Sequence, residues 1–288
     1  MKKILSIDGG GLHGILPAII LKYIEERVGP IFKQFDMIAG NSTGGIIALG
    51  LGVPLSAEEI LNLYVHHGKE IFPKRYFKLP WIFSAKYKPR SLEKLLLEYF
   101  QDITLGELNN NIFVTAYNLL LRRPEKFRSW EEKLMPARDA ARATSAAPTY
   151  FPPFGPYIDG GVYVNNPSIT AFAEARHMWP NEDVFIMSIG TGEHTRPIEP
   201  KEAKHWGLVG WAPKLISIVM DGQSKEINSV LGKLPTAVTL RIQTSLVEGS
   251  DDMDDATDRN IQNLLKDAHR MLNENLSMID RFCKGELP

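Results

Sequence analysis

The sequence predicts a single α/β domain in three layers, with a mostly parallel sheet between two layers of helices. Two observations lead to this fold class. Short apolar runs typical of buried strands alternate with longer segments of helical spacing, and this alternation favours parallel strands covered on both faces. No linker long or flexible enough to divide two folding units interrupts residues 1–288, so we expect one domain.

Composition excludes several classes of protein. The hydrophobic content of 44% and the charged content of 23% are ordinary for a folded protein. The net charge of -1 provides no overall field that would attract a nucleic acid polymer. The single cysteine, Cys283, excludes an intrachain disulfide, and no run approaches the ~18 apolar residues of a membrane span. Because Asp8 interrupts the first apolar run well short of a signal peptide, we expect a cytoplasmic protein without a cleaved leader.

The first predicted strand, 2–7, and the first predicted helix, 15–28, enclose a glycine-rich loop. The loop reads Asp8-Gly9-Gly10-Gly11-Leu12-His13-Gly14. A strand, a glycine loop and a helix in this order either cradle a phosphate or present backbone N–H groups to an oxyanion. The pattern Gly-x-Gly-x-x-Gly is present, but no clear second strand with a ribose-binding acid follows. The oxyanion interpretation is therefore favoured, and a Rossmann-type nucleotide-binding protein without esterase activity is the alternative.

The second predicted strand, 35–39, ends at a serine turn. The turn, Gly40-Asn41-Ser42-Thr43-Gly44, fits Gly-x-Ser-x-Gly and runs into an apolar helix over 44–52. A serine at such a turn has a strained backbone, and the flanking glycines leave room where strand and helix crowd it. The helix N-terminus behind the hydroxyl favours developing negative charge. Ser42 is therefore a candidate nucleophile, although a turn without chemistry also fits so short a pattern.

The middle of the chain continues the alternation of helices and strands. Helices are predicted over 56–68, 91–100, 137–147 and 168–178, and strands over 112–119, 127–130 and 184–189. Ser56 is a suitable N-cap for the first of these helices because its hydroxyl can accept a bond from a backbone N–H of the first turn.

Segment 69–90 differs in composition from its surroundings. It contains seven lysines and arginines against one acid, Glu70, with aromatic residues and three prolines between them. This composition fits a lid, a membrane-interface patch or an anion-binding surface. It fits equally well a surface loop whose aromatic side chains fill the core.

A further candidate carboxylate follows a short β-prone run, in Tyr157-Ile158-Asp159-Gly160-Gly161. Taken alone, this pattern is explained most simply by a common Asp-Gly turn. The last third is predicted to contain helix 206–231, strand 237–243 and helix 257–282, with an acidic loop over 249–255. The acidic loop lacks the glycine and terminal glutamate of a calcium-binding EF-hand, so we expect no metal site there.

Three of these motifs occur in a set order, Asp8-Gly9-Gly10-Gly11-x-x-Gly14, Gly40-x-Ser42-x-Gly44 and Asp159-Gly160-Gly161. Together they resemble the patatin-like phospholipase family, which shares its serine–aspartate dyad with the cytosolic phospholipase A enzymes. Segments 143–148, 188–192 and 252–256 are also similar to the family, so the resemblance spans nearly the whole chain. It implies a patatin-like fold of three α/β/α layers and a lipid acyl hydrolase of the phospholipase A or lysophospholipase type.

The resemblance also implies catalytic roles. Ser42 would be the nucleophile and Asp159 the base that takes its proton. Backbone N–H groups of Gly10 and Gly11 would form the oxyanion hole. The rest of the loop, including Gly9 and Gly14, would hold these two residues in place. The chemistry passes through an acyl-enzyme and needs no metal or cofactor.

His13 is a departure from the family pattern, which usually has Arg or Lys at this position. A histidine is only partly charged near neutral pH, so the departure favours a lysophospholipid or a neutral ester as substrate. We expect His13, Asn41 and Thr43 to contact the substrate. A Ser-His-Asp triad that includes His13 is the alternative to the dyad.

The family resemblance further implies partners. Some family members are membrane-degrading effectors of bacterial antiphage defence that a cyclic nucleotide activates, which makes a gated effector the alternative to an ungated hydrolase. In that case segment 69–90 would be the gate or the membrane contact. The expected partners are a phospholipid or lysophospholipid, a membrane surface in transient contact and a cyclic nucleotide activator. The expected location is the cytoplasm, including the periphery of a membrane.

Overall fold

A seven-stranded sheet forms the centre of the protein in the computed structural model, which describes residues 1–74, 84–234 and 236–286. The strands are β1 (Lys2–Ile7), β2 (Met37–Asn41), β3 (Asn111–Asn118), β4 (Arg123–Arg128), β5 (Tyr157–Asp159), β6 (Val184–Ile189) and β7 (Ala237–Ile242). Their order across the sheet is β4-β3-β2-β1-β6-β7, and β5 pairs with β3 beside this path. The predicted mostly parallel sheet is confirmed.

Five of the strands run in the same direction. β1 pairs in parallel with β2 and β6, β2 with β3, and β6 with β7, whereas β4 and β5 lie antiparallel to β3. The parallel strands therefore all end at one side of the sheet, which we call the carboxyl edge. Loops that follow these strands meet there, as is usual for ligand sites of open α/β sheets.

Helices cover both faces of the sheet. They are α1 (Ile15–Val28), α2 (Thr43–Gly52), α3 (Ala57–Ile71), α4 (Arg90–Phe100), α5 (Ala137–Thr144), α6 (Ser168–Met178), α7 (Pro200–Ala203), α8 (Gly207–Leu231) and α9 (Asp258–Cys283). Side chains alternate along each strand, so neighbouring residues of β1 enter different cores. Leu5 packs in a large core with α1 and α9, while Ile4 packs in a smaller core with residues of α6 and α8. The predicted three-layer architecture is thereby confirmed.

Most predicted elements are present with boundaries shifted by a few residues. Ser56 caps α3 as expected, because its side chain accepts a hydrogen bond from Glu59 N. Three boundaries are wrong by three residues or more. Helix α3, expected to end at residue 68, continues to Ile71. The helix expected over 137–147 ends at Thr144. The strand expected over 127–130 is β4, which already begins at Arg123.

The basic and aromatic segment 69–90 is described only in part, because residues 75–83 lie outside the described residues. Its first residues, through Ile71, belong to α3. After the gap, Lys86 and Tyr87 donate backbone hydrogen bonds to Thr149 and Tyr150. Both side chains also donate to Asp254. Within the described ranges, no helix combines the length and apolar character that a membrane span requires.

Candidate active site

The glycine loop and the serine turn are adjacent because they follow neighbouring parallel strands. Ile7, the last residue of β1, lies opposite Gly40 of β2. A Cβ atom on Gly44 would lie 2.2 Å from the carbonyl oxygen of Ile7, and one on Gly40 would lie 2.1 Å from the carbonyl oxygen of Gly44. Only glycine fits at these two positions. Gly44 is required because the serine turn approaches the end of β1 closely, and Gly40 because the serine turn is itself tight.

Ser42 has the backbone conformation of a strained turn. Its φ is 52° and its ψ is -120°, and it occupies the N-cap of α2. A β-substituted residue held in this region costs about 1–3 kcal/mol, so neighbouring contacts must enforce it. Thr144 provides one of them, since its Oγ1 accepts a bond of 2.9 Å from Ser42 N and donates one of 2.7 Å to the carbonyl oxygen of Thr115.

Asp159 comes close to the serine turn through β5, which pairs with β3. It ends β5, opposite Ala116 of β3, and the preceding residue of β3, Thr115, lies opposite Asn41 of β2. The carboxylate is buried, with 2% of its surface exposed. Its Oδ1 accepts bonds of 2.7 Å from Gly161 N and 3.2 Å from Asn41 Nδ2.

The second carboxylate oxygen of Asp159 is the one available to Ser42. Burial raises the pKa of Asp159 to about 6, and bonds from Ser42, Gly161 and Asn41 act in the opposite direction. Oδ2 nevertheless has no partner of full hydrogen-bond geometry among the described residues. The Ser42 side chain is close enough to lower the pKa of Asp159, and Oδ2 is the carboxylate oxygen that has no full hydrogen bond to these residues.

Two asparagines connect the aspartate to the glycine loop. Asn41 is fully buried, accepts a bond of 2.7 Å from Thr115 Oγ1 and donates to Asp159 and to Asn165 Oδ1, the latter at 3.3 Å. Asn165 in turn donates to the carbonyl oxygen of Gly9 at 3.3 Å. Asn41 thus faces the aspartate and does not line the pocket beside Ser42. The contributions of Thr144, Thr115 and Asn165 were not foreseen from the sequence.

The glycine loop leaves two backbone donors available. Gly9 N donates to the carbonyl oxygen of Asn165 and Leu12 N to that of Met253, at 3.1 and 2.8 Å. The N–H groups of Gly10 and Gly11, in contrast, have no acceptor in the part of the chain that the structure describes. Gly11 has a φ of 56°, a conformation that suits glycine. Two free donors beside a serine are the feature that an oxyanion hole requires.

An apolar pocket opens beside Ser42 and Gly11. Most of its wall is aliphatic or aromatic and comes from α2, α3, α4 and the segment after α5, as Ile46, Leu63, Tyr64, Ile71, Phe72, Leu92, Tyr150 and Phe151. Thr43 also lines it and donates a bond of 2.6 Å to Tyr64 Oη. The pocket has the chemistry to hold a hydrocarbon chain next to the serine.

A second, polar cavity lies on the other side of the glycine loop. It is lined by Asp8, Gly10, His13, His194 and Arg241, among others. Arg241 donates two bonds to the carboxylate of Asp8, from Nη1 at 3.0 Å and from Nη2 at 2.6 Å. This ion pair lies directly behind the loop that contains Gly10 and Gly11.

His13 belongs to the polar cavity and not to the pocket of Ser42. Its Nε2 lies 3.0 Å from the carbonyl oxygen of Ser250, so that nitrogen is protonated and donates. Burial, with a smaller effect of His194, lowers the pKa of His13 to about 4, so the ring is neutral at pH 7. No hydrogen bond joins His13 to Ser42 or Asp159, all of which are described residues.

No metal site accompanies these groups within residues 1–74, 84–234 and 236–286. No three His, Cys, Asp or Glu side chains there come together in a way that would hold a metal ion. The acidic loop over 249–255 instead uses its carboxylates within the protein. Asp254 accepts from Lys86 and Tyr87, and Asp251 pairs with Arg196.

Comparisons with known proteins place the chain in a family. A model of the patatin-like phospholipase family matches residues 5–172. Patatin-like protein 2 from Oryza sativa subsp. indica is 30% identical, over 97% of this chain and 86% of that protein. A cGAMP-activated phospholipase from Pseudomonas aeruginosa (strain BWHPSA011 / Pa011) is 32% identical, over 79% of this chain and 74% of that protein. The crystal structure of VipD from Legionella pneumophila superposes with a TM-score of 0.47 at 14% identity, over 95% of this chain and 67% of that one. Since the family model spans more than half of the chain, this protein belongs to the patatin-like phospholipase family.

Proposed function

We propose that the protein is a serine lipid acyl hydrolase of the phospholipase A or lysophospholipase type. The observation that carries the proposal is the free oxygen of Asp159, buried beside a serine on a strained turn. A buried carboxylate oxygen without a hydrogen bond is costly for folding, and a catalytic role explains why it is kept. The enzyme would act in the cytoplasm and in transient contact with a membrane.

In the proposed reaction Ser42 and Asp159 form a dyad. Ser42 Oγ attacks the ester carbonyl while Asp159 Oδ2 takes the hydroxyl proton. The carbonyl oxygen becomes an oxyanion, which the N–H groups of Gly10 and Gly11 stabilise. When the tetrahedral intermediate collapses, Asp159 returns the proton to the leaving alcohol and an acyl-serine remains. Water, activated by the same carboxylate, then releases the fatty acid and restores the serine.

The proposed substrate is a phospholipid or lysophospholipid whose acyl chain enters the apolar pocket beside Ser42. Thr43 and Gly11 contribute to that pocket and would lie close to the ester. Asn41 would act through Asp159, to which it donates. His13 is neutral and lines the opposite cavity, so we propose no role for it in binding a headgroup phosphate.

The dyad is tested with three variants and two substrates. Ser42→Ala and Asp159→Asn are expected to lower kcat on a short-chain p-nitrophenyl ester by about 10³-fold or more. His13→Ala is expected to keep most of this activity. The same variants are then compared on mixed phospholipids, with products identified by mass spectrometry.

The outcomes separate the dyad from its alternatives. Retained activity in Ser42→Ala would exclude Ser42 as the nucleophile. Activity in Asp159→Asn together with loss in folded His13→Ala would indicate the triad. Tight binding of NAD or FAD without hydrolysis of any ester would favour the Rossmann-type alternative.

A cyclic-nucleotide-gated phospholipase is the second candidate function. Two observations favour it. The relative from Pseudomonas aeruginosa is named a cGAMP-activated phospholipase. In addition, the polar cavity with Arg241 and His194 borders Gly10, so a ligand there would touch the proposed oxyanion hole. Lipid hydrolysis that is equally fast with and without a panel of cyclic oligonucleotides would exclude this form of regulation.

A further inference from the structure

The turn between β3 and β4 exposes three consecutive leucines. Leu119, Leu120 and Leu121 are 42%, 81% and 56% exposed. They are followed directly by Arg122 and Arg123. Single exposed leucines are ordinary on protein surfaces, but three in succession at the tip of a turn form a contiguous apolar patch. We call residues 119–123 the hairpin tip.

Hydrogen bonds hold the hairpin tip in its protruding conformation. The side chain of Asn118 accepts bonds from Leu120 N at 3.1 Å and from Leu121 N at 3.0 Å. Leu119 N donates to the carbonyl oxygen of Pro156 at 2.8 Å. The leucines are therefore presented by a structured turn, which lowers the entropy that binding to a partner would cost.

The hairpin tip lies on the same side of the molecule as Ser42. Thr115 of β3 is level with Asn41, next to the serine, and β3 continues three residues further to Asn118. At a rise of ~3.3 Å per residue, the tip begins ~10 Å beyond the level of the serine turn. A flat partner that meets the carboxyl edge would therefore touch the tip.

A second apolar surface projects from the same edge. Met220 of α8 lies against Gly161, whereas Leu231 at the other end packs with the first residues of the strands, such as Ile4. The N-terminal half of α8 consequently extends past the carboxyl edge. Trp211, Leu215 and Ile218 are exposed there at helical spacing, with 39%, 52% and 38% of their surfaces accessible. They form one stripe along the helix.

The charges beside the leucines indicate the nature of the partner. Arg122 has no ion-pair partner in the described part of the chain, and Arg123 has only a distant one, with Nη2 3.6 Å from Glu125 Oε2. Guanidinium groups next to apolar side chains fit an interface at which phosphates lie directly above hydrocarbon. A lipid bilayer with anionic headgroups has this arrangement.

We propose that the hairpin tip, with the exposed stripe of α8, docks the protein onto an anionic phospholipid bilayer. Leu120 and Leu121 enter the interfacial hydrocarbon, Arg122 and Arg123 bind phosphates, and the carboxyl edge with Ser42 faces the lipid. This inference rests on the proposed function, because a lipid hydrolase must meet its substrate at a bilayer. The binding itself is measured without catalysis.

The test uses vesicle sedimentation with the Ser42→Ala protein, so that the lipid stays intact. Vesicles contain phosphatidylcholine alone or phosphatidylcholine with phosphatidylglycerol. Adding Leu120→Ser and Leu121→Ser is expected to weaken binding to both kinds of vesicle by about tenfold or more. Adding Arg122→Gln and Arg123→Gln should weaken binding to the anionic vesicles more than binding to phosphatidylcholine alone, because only the anionic surface attracts the guanidinium charges over a distance.

Leu134→Ser provides the matched control. Leu134 is 90% exposed, but it follows β4 at the end of the strands opposite the carboxyl edge. Its neighbours Lys133 and Ser129 contact residues that precede or begin β3. It should bind vesicles like the parent protein. Equal vesicle binding by the leucine pair variant and its parent, or no binding by the parent, would overturn the docking proposal.

Activity assays separate this proposal from the proposed function. With Ser42 restored, the Leu120→Ser and Leu121→Ser protein should hydrolyse a soluble p-nitrophenyl ester at the normal rate and vesicle lipid at least about tenfold more slowly. Equal losses on both substrates would mean that the turn supports folding and not docking. Failure of the unaltered protein to cleave any ester would exclude the proposed hydrolase function. The docking proposal would then be decided by vesicle sedimentation alone.

Discussion

The two carboxylate oxygens of Asp159 have unequal surroundings. Oδ1 accepts from Gly161 N and Asn41 Nδ2, while Oδ2 has no full hydrogen bond to the described residues. The bonds to Oδ1 fix the orientation of the group, and burial raises its pKa to about 6. A carboxylate with a raised pKa remains ionised near neutral pH and binds a proton more strongly than an exposed aspartate does.

This pKa predicts the acid limb of the pH–rate profile. Protonated Asp159 has no basic oxygen for the serine proton, so kcat/KM for a neutral ester should fall as the pH drops below about 6. The fall should approach about tenfold per pH unit. It is measured with a p-nitrophenyl ester at the isosbestic wavelength of nitrophenol. A rate that stays constant down to the ordinary aspartate pKa of 3.8 would contradict this assignment.

The same shift predicts that Asp159→Asn stabilises the fold at neutral pH. A carboxyl whose pKa rises on folding stabilises the protein fully below 3.8, and this contribution is lost as the pH rises through about 6. Removing the charge should therefore raise the free energy of unfolding at neutral pH by about 1–3 kcal/mol. Urea unfolding of both proteins should show this gain at neutral pH and little difference in acid. A less stable variant at neutral pH would argue against an ionised, buried Asp159.

Within the candidate site, sequence reasoning named residues that carry local signatures and did not name residues that lack them. Ser42 and Asp159 stand beside glycines whose spacing reflects crowding at the turns, and the structure brings these two residues together. Thr144, Thr115 and Asn165 reach the site from other segments through single hydrogen bonds. No spacing rule relates a threonine at a helix end to a serine about a hundred residues earlier, so tertiary structure was needed to find them.

At the scale of elements, α5 connects the serine turn to β3. Its last residue, Thr144, is buried and bridges Ser42 N and the carbonyl oxygen of Thr115. The helix ends there, three residues before the predicted end, and Ser145 folds back to donate a bond of 2.7 Å to the carbonyl oxygen of Ala141. The position of Ser42, the proposed nucleophile, thus depends on where α5 ends.

Thr144→Val is predicted to impair catalysis more than binding. Valine keeps the shape but leaves Ser42 N and the Thr115 carbonyl oxygen unpaired, which costs about 1–3 kcal/mol. We expect kcat to fall by about 10- to 100-fold with little change in KM, because a misplaced nucleophile affects the reaction step. Steady-state kinetics on a soluble ester measure both constants.

Thr144→Ser is the matched control for this prediction, since it keeps the hydroxyl and should retain most of kcat. A rise in KM with unchanged kcat in Thr144→Val would indicate that the threonine shapes the pocket and does not position the serine.

The hairpin of β3 and β4 shows why the boundary of one strand was mispredicted. Residues 122–125 have the composition of a turn, including Pro124, yet β4 begins at Arg123. The turn instead uses the leucines, which the side chain of Asn118 holds in place. Pro124 is tolerated because β4 is an edge strand of the sheet. The hydrogen bonds to the Asn118 side chain therefore determine where the turn lies, although the composition of residues 122–125 favours a turn there.

For the whole molecule, the alternation of strands and helices was sufficient to predict the layers. Parallel strands need crossover helices, and buried strands appear as continuous apolar runs, so the sequence pattern predicts a sheet between two layers of helices. The same pattern does not predict the order of the strands within the sheet. β5 is three residues long and pairs with β3, and this pairing places Asp159 close to the serine turn.

The position of the glycine loop between two cavities has a consequence for how the protein can be controlled. Gly11 borders the apolar pocket and its neighbour Gly10 borders the polar one. A small molecule in the polar cavity would contact the proposed oxyanion donors without occupying the apolar pocket proposed for the acyl chain. Added lipid would not displace it, so it would act as a non-competitive effector that changes turnover and leaves apparent affinity unchanged. Gly10 and Gly11 are consecutive and Met253 borders both cavities, so a compound unrelated to lipids would be able to regulate the proposed reaction from the polar side.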